Sequence, residues 1–405
     1  MKVLLSTTFV LGASAAVLPD LLNALSGYGF LLGYLANGNV ITPNGIAPPL
    51  QNLKVRTRLP ESKRVKLRYG PYKMPSSNAT SEAFDPFSAS IAGMSGEKGM
   101  VSLTATNMST PCEECGLTML QAGLEYADGT QATTGTGAWL HHVLLLAQGP
   151  GRQDTVCAND ANWTTFGQRI FSSGNERTAA SFTDMTYKTP SSAFQINKGD
   201  SLAMQLELMN LNPQPQEVYF TLDFEFLPGP RRRDVETATA LWLDVTGCGN
   251  SNVKLPKGQP ASTFSSSGWT APFSGRMLAA AGHLHDGGTE VKMFKNSQLV
   301  CDSKATYGMT NGGAAKPMEP GAAHGESTEA ESAHRGHEKI RRDEMDPNMP
   351  HIATMSGCAS FGIFKRGDTF HIEASYDVGK WMPMEAASGE ASTVMGIAVM
   401  NVVED

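Results

Sequence analysis

The chain has 405 residues, 40% of them apolar, which is too long for one ordinary core and enough to pack two domains of roughly 150–200 residues each. Its net charge of −7, with basic residues scattered apart from Arg231-Arg232-Arg233, excludes the basic face that a nucleic-acid partner needs. The apolar stretch "LLNALSGYGFLLGYLANG" is broken by Asn, Gly and Tyr and falls short of the ~20 mostly apolar residues of a membrane span, so no stable span is expected.

In chain order, "MKVLLSTTFVLGASA" reads as a secretory signal peptide, residues 1–15, with Ala13-Ser14-Ala15 as a small-x-small cleavage site. Residues 16–65 read as a propeptide or N-terminal extension, with the dibasic Lys63-Arg64 near its end. Three sequons follow, at Asn78, Asn107 and Asn162, and predict a glycoprotein. With the signal peptide they point to a secreted, extracellular or cell-wall protein.

Strand signals dominate the rest. "EKGMVSLTAT", "AWLHHVLLLA", "DSLAMQLELMN", "EVYFTLDFEFL", "TATALWLDV", "RMLAAAGHLH", "TEVKMFK", "DTFHIEASYD" and "STVMGIAVMNVV" are separated by Gly, Pro, Asn and Asp clusters, and several alternate apolar with polar. The pattern predicts an all-β chain of two consecutive antiparallel β-sandwiches. "FLPGPRRRDVE" breaks it, which sets an N-terminal sandwich at 66–228, a linker at 229–238 and a C-terminal sandwich at 239–405. Residues 310–350, rich in Gly, Ala, Glu and Pro, lack the large aliphatic side chains that would offset ordering, and read as a disordered insertion. That insertion carries His324, His334 and His337, either a solvated loop or a flexible metal-capturing one.

Six cysteines permit fifteen full pairings. "CEEC" resembles half a zinc site, but without a second CxxC an oxidising compartment favours disulfides. Cys301–Cys358, flanking the insertion, is the expected pair in the C-terminal half; pairing within each half leaves one cysteine over in each.

Two histidine pairs carry the candidate chemistry. In "GHLHDGG", His283 and His285 are two residues apart, so a strand aims both imidazoles at one face, about 6–7 Å apart at the backbone. They supply two-thirds of a three-ligand metal site or decorate a strand end. In "WLHHVLLL", His141 and His142 face opposite sides of a regular strand and share a metal only if a bulge turns them together. Among the 20 methionines, Met209 and Met395 stand late in strands; a thioether suits Cu(I). Asp286 either orients an imidazole or forms the turn with Gly287-Gly288, and Asn175, Glu176 and Arg177 either line a cleft or sit at the surface. There is no Gly-rich phosphate loop, no GxSxG elbow and no HExxH.

"LHHVLLL", then "GHLHDGG", then "STVMGIAVM", together with "KRGDTFHIEASYD", resemble the copper type II, ascorbate-dependent monooxygenase family from about residue 98 to the end. The resemblance implies two jelly-roll domains, each holding one copper across a solvent cleft. It places His283, His285 and Met395 at an oxygen-activating copper, and His141 and His142 at an electron-relaying one, with ascorbate as the reductant. Met209 stands where the family has its third relay histidine. Ala281 and Val399 stand where the peptide-amidating members grip the peptide, so the implied substrate is not peptidylglycine. "GPYKMP" and "LEYADGT" also resemble secreted fungal proteins, and some of these elements occur in the stress-upregulated nodulin family of plants. The favoured expectation is a secreted copper monooxygenase with one or two copper ions and an unknown substrate. Its rivals are a non-catalytic copper-binding or stress-related surface protein and a structural wall protein.

Overall fold

The computed structural model describes residues 51–79, 98–160, 167–249, 251–308, 350–384 and 391–405. The signal peptide, most of the N-terminal extension, Asn162 and the insertion with His324, His334 and His337 lie outside them. Among the described residues the chain is all-β, with one short 3-10 turn at Thr134–Thr136, and no helix is long and apolar enough to cross a membrane.

The strands follow the period-2 logic of the sequence. Thr369–Asp377 alternates strictly between buried and half-exposed positions, as a strand with one covered face must. Cys115–Glu125 is buried on both faces and correspondingly lacks alternation. Strand pairing is antiparallel almost throughout, and three sheets result. A four-stranded sheet runs in the order Met100–Met108, Ser201–Asn210, Ala138–Gln148, Gln168–Gly174. A second sheet is built around Thr369–Asp377, Gly288–Lys295 and Gln298–Gly308. The largest sheet continues from the N-terminal half into the C-terminal half: Cys115–Glu125 pairs Ser192–Ile196, which pairs Glu236–Asp244, then Val394–Glu404, then Gly275–Leu284. The crossing point is a short parallel pairing, Glu236 with Ser192 and Thr237 with Ala193. Strand structure therefore resumes at Glu236, inside the stretch read as linker.

There are two main cores, the first of which also takes in Leu278 and Val403 from the C-terminal half. Leu120, Leu145, Phe171, Leu206 and Phe220 belong to the first, and Leu241, Val291, Phe370, Ile372 and Met400 to the second. Fully burying one such side chain is worth about 1.5–3 kcal/mol. Between the cores lies a smaller cluster in which Leu144 of the N-terminal half packs against Trp242, Met395 and Ile397 of the C-terminal half.

Three disulfides close the described chain: Cys112–Cys115, Cys157–Cys248 and Cys301–Cys358. The CEEC motif is thus a disulfide, the pair flanking the insertion is as expected, and the two cysteines left over pair across the halves. Residues just before Lys63 are also built in: the buried Glu225 carboxylate accepts the backbone N–H groups of Arg56 (2.7 Å) and Thr57 (2.6 Å), and Gln51–Leu53 pairs with Lys63–Met74. Asn78 and Asn107 are exposed.

Candidate metal centre

The His141-His142 pair stands on a β-bulge. Along Ala138–Gln148, Leu140 faces Leu208 and the next paired residue, His142, faces Glu207, so His141 is the extra residue. The bulge turns adjacent side chains toward one another that a regular strand would send to opposite faces. Both imidazoles then share one carboxylate oxygen: Glu207 Oε2 lies 3.2 Å from His141 Nδ1 and 3.4 Å from His142 Nε2. Glu207 is fully buried at the centre of its sheet.

The second pair follows the strand period. His283 is the penultimate residue of the Gly275–Leu284 strand, opposite Ile397, and His285 lies just past the strand's end. His283 Nδ1 meets Glu176 Oε1 at 2.9 Å, and that oxygen also accepts the Gly174 N–H at 2.8 Å. His285 Nδ1 donates to the Thr393 carbonyl at 3.0 Å. Tyr376 ties the same corner together: its hydroxyl accepts the His285 N–H at 3.3 Å and donates to the Met395 carbonyl.

The resemblance implies two centres separated by solvent; the four imidazoles instead form a single cluster. Ring centroids lie 4.8 Å apart for His141 and His285, 6.0 Å for His142 and His285, and 6.3 Å for His142 and His283. One nitrogen each of His141, His142 and His285 falls within 4.8 Å of the other two. The cause is packing: the face of the N-terminal sheet that carries His142 and Leu144 lies against the C-terminal face that carries Met395 and Ile397. Gly174 marks the tightest point. It pairs with His142 across the ladder, and a Cβ built there would come within 2.7 Å of His283 Cε1 and 2.8 Å of the His141 carbonyl.

The polar contacts divide the two nitrogens of each ring between a bound and an unbound one. His283 and His285 use Nδ1, toward Glu176 and the Thr393 carbonyl, and leave Nε2; His142 has Nε2 beside Glu207 and leaves Nδ1. Those three remaining nitrogens are buried and have no hydrogen-bond partner among the described residues. A buried polar atom left so costs about 1–3 kcal/mol, which a bound cation would remove. Burial pulls His142 down to about 4, against the opposing pull of Glu207. His285 is held well below the ordinary imidazole range, first by burial and then by the neighbouring imidazoles. Burial alone would raise the Glu176 and Glu207 carboxyls, but the histidines beside them outweigh it and hold both below the usual carboxylate range. Neutral imidazoles backed by carboxylates are the form in which histidine takes a metal.

The remaining expected residues divide. Directly opposed antiparallel residues share a face, so Ile397 lies on the His283 side, and Met395, two residues earlier, lies there too. Met209 is fully buried and packs with Met100, Trp139 and Met384 beside the cluster. Asp286 orients an imidazole, but that of His351, at 2.6 Å, and also accepts the Ile352 N–H. The Asn175 amide donates to the Ile352 carbonyl; the Arg177 guanidinium reaches the Ala132 carbonyl.

Sequence reasoning missed Glu207, His351 and Trp139. Trp139 packs against His351 with centroids 4.1 Å apart and the rings tilted by 46°, and meets His141 edge-on at 5.6 Å. A readable signal existed for Glu207: it is the one acid in the apolar run "LAMQLELM".

Fold and site together define a β-sheet protein with a cluster of four histidines drawn from both halves of the chain, two of them buried and two half-buried. No family model matches the chain. It is 26% identical over 349 residues to the probable copper-dependent oxygenase M1 of Phoma sp., covering 85% of this chain and 73% of that protein. It is 27% identical over 290 residues to the probable copper-dependent oxygenase clz3 of Cochliobolus lunatus, covering 70% and 78%. Among solved structures, PNGase F, a glycosylasparaginase from Flavobacterium meningosepticum, aligns over 84% of this chain and 96% of its own at 9% identity, with a TM-score of 0.33.

Proposed function

We propose that the protein is a secreted copper-dependent oxygenase that hydroxylates a C–H bond of a small molecule other than peptidylglycine. The carrying observation is that His141 and His142 of the N-terminal half and His285 of the C-terminal half each offer a ring nitrogen within 4.8 Å of the other two. Names of two relatives, each a probable copper-dependent oxygenase, support the choice of metal. Three disulfides support an oxidising, extracellular setting.

His141, His142 and His285 hold the ion in this reading, with His283 and the Met395 thioether on the same face beside them. Bound copper supplies the redox chemistry with O2, and a soft thioether nearby favours its reduced form. Glu207 fixes the two N-terminal imidazoles in one orientation, and Glu176 does the same for His283. Hydroxylation consumes O2, two electrons and two protons and yields the alcohol and water; an external reductant of the ascorbate type delivers the electrons. Met209, where the resemblance implies a third relay histidine, packs against Trp139, which itself meets His141 edge-on.

A non-catalytic copper-binding protein is the second reading, favoured by the deep burial of His141 and His283. Oxygen uptake separates the two. Copper-loaded protein with ascorbate should consume O2 above the free-copper background, and His285→Ala should abolish the excess. Stoichiometric copper with no excess uptake, in the presence of a panel of neutral small molecules, supports the second reading instead.

A further inference from the structure

One face of the four-stranded N-terminal sheet carries a row of sulfur and indole. Across three neighbouring strands, Met100 pairs with Met209, and Met209 pairs with Trp139. The next rung is Val101, Leu208 and Leu140, all in the first core. Successive residues of a strand point to opposite faces, so Met100, Met209 and Trp139 face away from that core together. Met384 packs onto the row, and all four side chains are buried. The row ends against the histidine cluster. Trp139 stands two residues before His141, and the two rings meet edge-on at 5.6 Å. Trp139 also packs against His351, whose Nδ1 is held by Asp286 at 2.6 Å.

Packing alone does not require this composition. Methionine is a common gap filler, but an aliphatic row fills the same space. What the four side chains share is that indole and thioether give up an electron more readily than any aliphatic group, and sulfur beside an aromatic ring makes a favourable contact. Among the described residues, Trp139 is the one indole in ring contact with the imidazoles. Trp242 packs with Met395 and Ile397 instead, and Trp269 lies against Phe370 beside the second core. Tyr376 approaches the same corner through its hydroxyl, bonded to backbone groups of His285 and Met395. Met382, two residues before Met384, is 56% exposed, so the row leads from the imidazoles toward solvent.

We propose that Trp139 is a redox relay, which passes an electron through His141 when oxygen chemistry runs without substrate, and that Met100, Met209 and Met384 stabilise the electron-poor ring. The proposal rests on the histidine cluster binding copper. Without substrate, O2 takes two electrons from the external reductant and two protons from solvent and becomes hydrogen peroxide. Peroxide takes two further electrons and two protons and leaves as two waters. One of those electrons comes from reduced copper and the other from the Trp139 indole. The indole is left one electron short, as a radical cation, and one electron from the reductant, arriving from the Met384 side, restores it. Without the relay the missing electron is drawn from an imidazole of the cluster, and that histidine is oxidised.

The test mixes the full chain, loaded with Cu(I), with hydrogen peroxide and freezes it rapidly. Electron paramagnetic resonance reads organic radicals, peptide mapping reads oxidised histidine, and copper content is measured on the same preparations. The expected result is a wild-type radical whose hyperfine pattern changes with ring-deuterated tryptophan and not with ring-deuterated tyrosine. Trp139→Phe should lower that signal at least tenfold and raise oxidation of the four clustered histidines at least threefold, with copper content before peroxide at the wild-type level. Trp269→Phe should leave the signal unchanged. Met209→Leu should keep the radical but shorten its lifetime at least twofold; an unchanged lifetime overturns the part given to the methionines. Trp139→Tyr should restore a radical that now answers to deuterated tyrosine, a rescue that a packing role does not give. It decides the matter if circular dichroism shows that Trp139→Phe fails to fold. With copper bound, no tryptophan radical, or one that persists in folded Trp139→Phe, overturns the relay and leaves the metal centre standing. Protein that takes up no copper removes the metal reading and the relay with it.

Discussion

Replacing Glu207 tests how the centre is supported without touching an imidazole. Its Oε2 holds His141 Nδ1 at 3.2 Å and His142 Nε2 at 3.4 Å, and the side chain is fully buried. In Glu207→Ala both outer nitrogens lose their acceptor, and neither ring retains a fixed orientation toward the ion. Carboxylates that support liganding histidines are worth about 10–100-fold in metal affinity, or about 1.4–2.7 kcal/mol. Because this one carboxylate supports two rings, Glu207→Ala should fall at the upper end, near 100-fold. Glu207→Gln keeps one oxygen of the same reach and should lose about tenfold. Competition for Cu(I) against a calibrated chelator measures both, with thermal unfolding as the control for the fold. A Glu207→Ala affinity within twofold of wild type would refute the reasoning, because the rings would then be positioned by packing alone.

Other outcomes follow from the same geometry. Gly174→Ala should weaken copper binding more than it lowers stability, since the new Cβ meets His283 and the His141 carbonyl; unchanged copper affinity by chelator competition contradicts this. Met395→Leu, close in volume and costing under about 1.5 kcal/mol, should retain copper but lower its reduction potential in voltammetry, and an unchanged potential removes the thioether from the site. Breaking Cys157–Cys248, whose partners are 91 residues apart, as a double Ala variant should lower the unfolding free energy by about 2–5 kcal/mol in chemical denaturation. For the metal-free protein, His142 at about 4 in the fold against 6.5 when unfolded means the unfolded chain takes up the proton first as pH falls. Stability should therefore drop from pH 6.5 toward 4, by about 3 kcal/mol from this group alone. The lowered carboxyls of Glu176 and Glu207 act in the same direction further into acid. A melting temperature that is flat or rises between pH 6.5 and 4 contradicts the neutral, buried state of these rings.

The all-β architecture was legible because alternation in stretches such as "DTFHIEASYD" is a direct image of one covered face. The His283–His285 pair was legible for the same reason, since spacing by two fixes a common face. The His141–His142 pair was only half legible. Its meaning depends on a bulge, and the bulge is set by where Leu208 and Glu207 pair across the sheet, which local spacing does not encode. The meeting of the two pairs was hidden in the sequence because it arises from packing between distant segments, through Leu144, Trp242, Met395 and Ile397. Glu207 stood out as the lone acid of an apolar run, but which imidazoles it serves, like the His283 partner of Glu176, is set by distant segments that only the fold brings together. The linker arginines were easy to find, but the strand that resumes at Glu236 belongs to a sheet shared by both halves, a connection that no composition break reveals.

The central claim is that histidines from both halves of the chain bind the same copper ion. Copper per chain, measured by mass spectrometry after dialysis in wild type, His141→Ala, His285→Ala and the double variant, tests it most directly. The account predicts about one ion in the wild type and nearly none in either single variant, with no further loss in the double. Two ions in the wild type, with each single variant losing one and the double losing both, would contradict it.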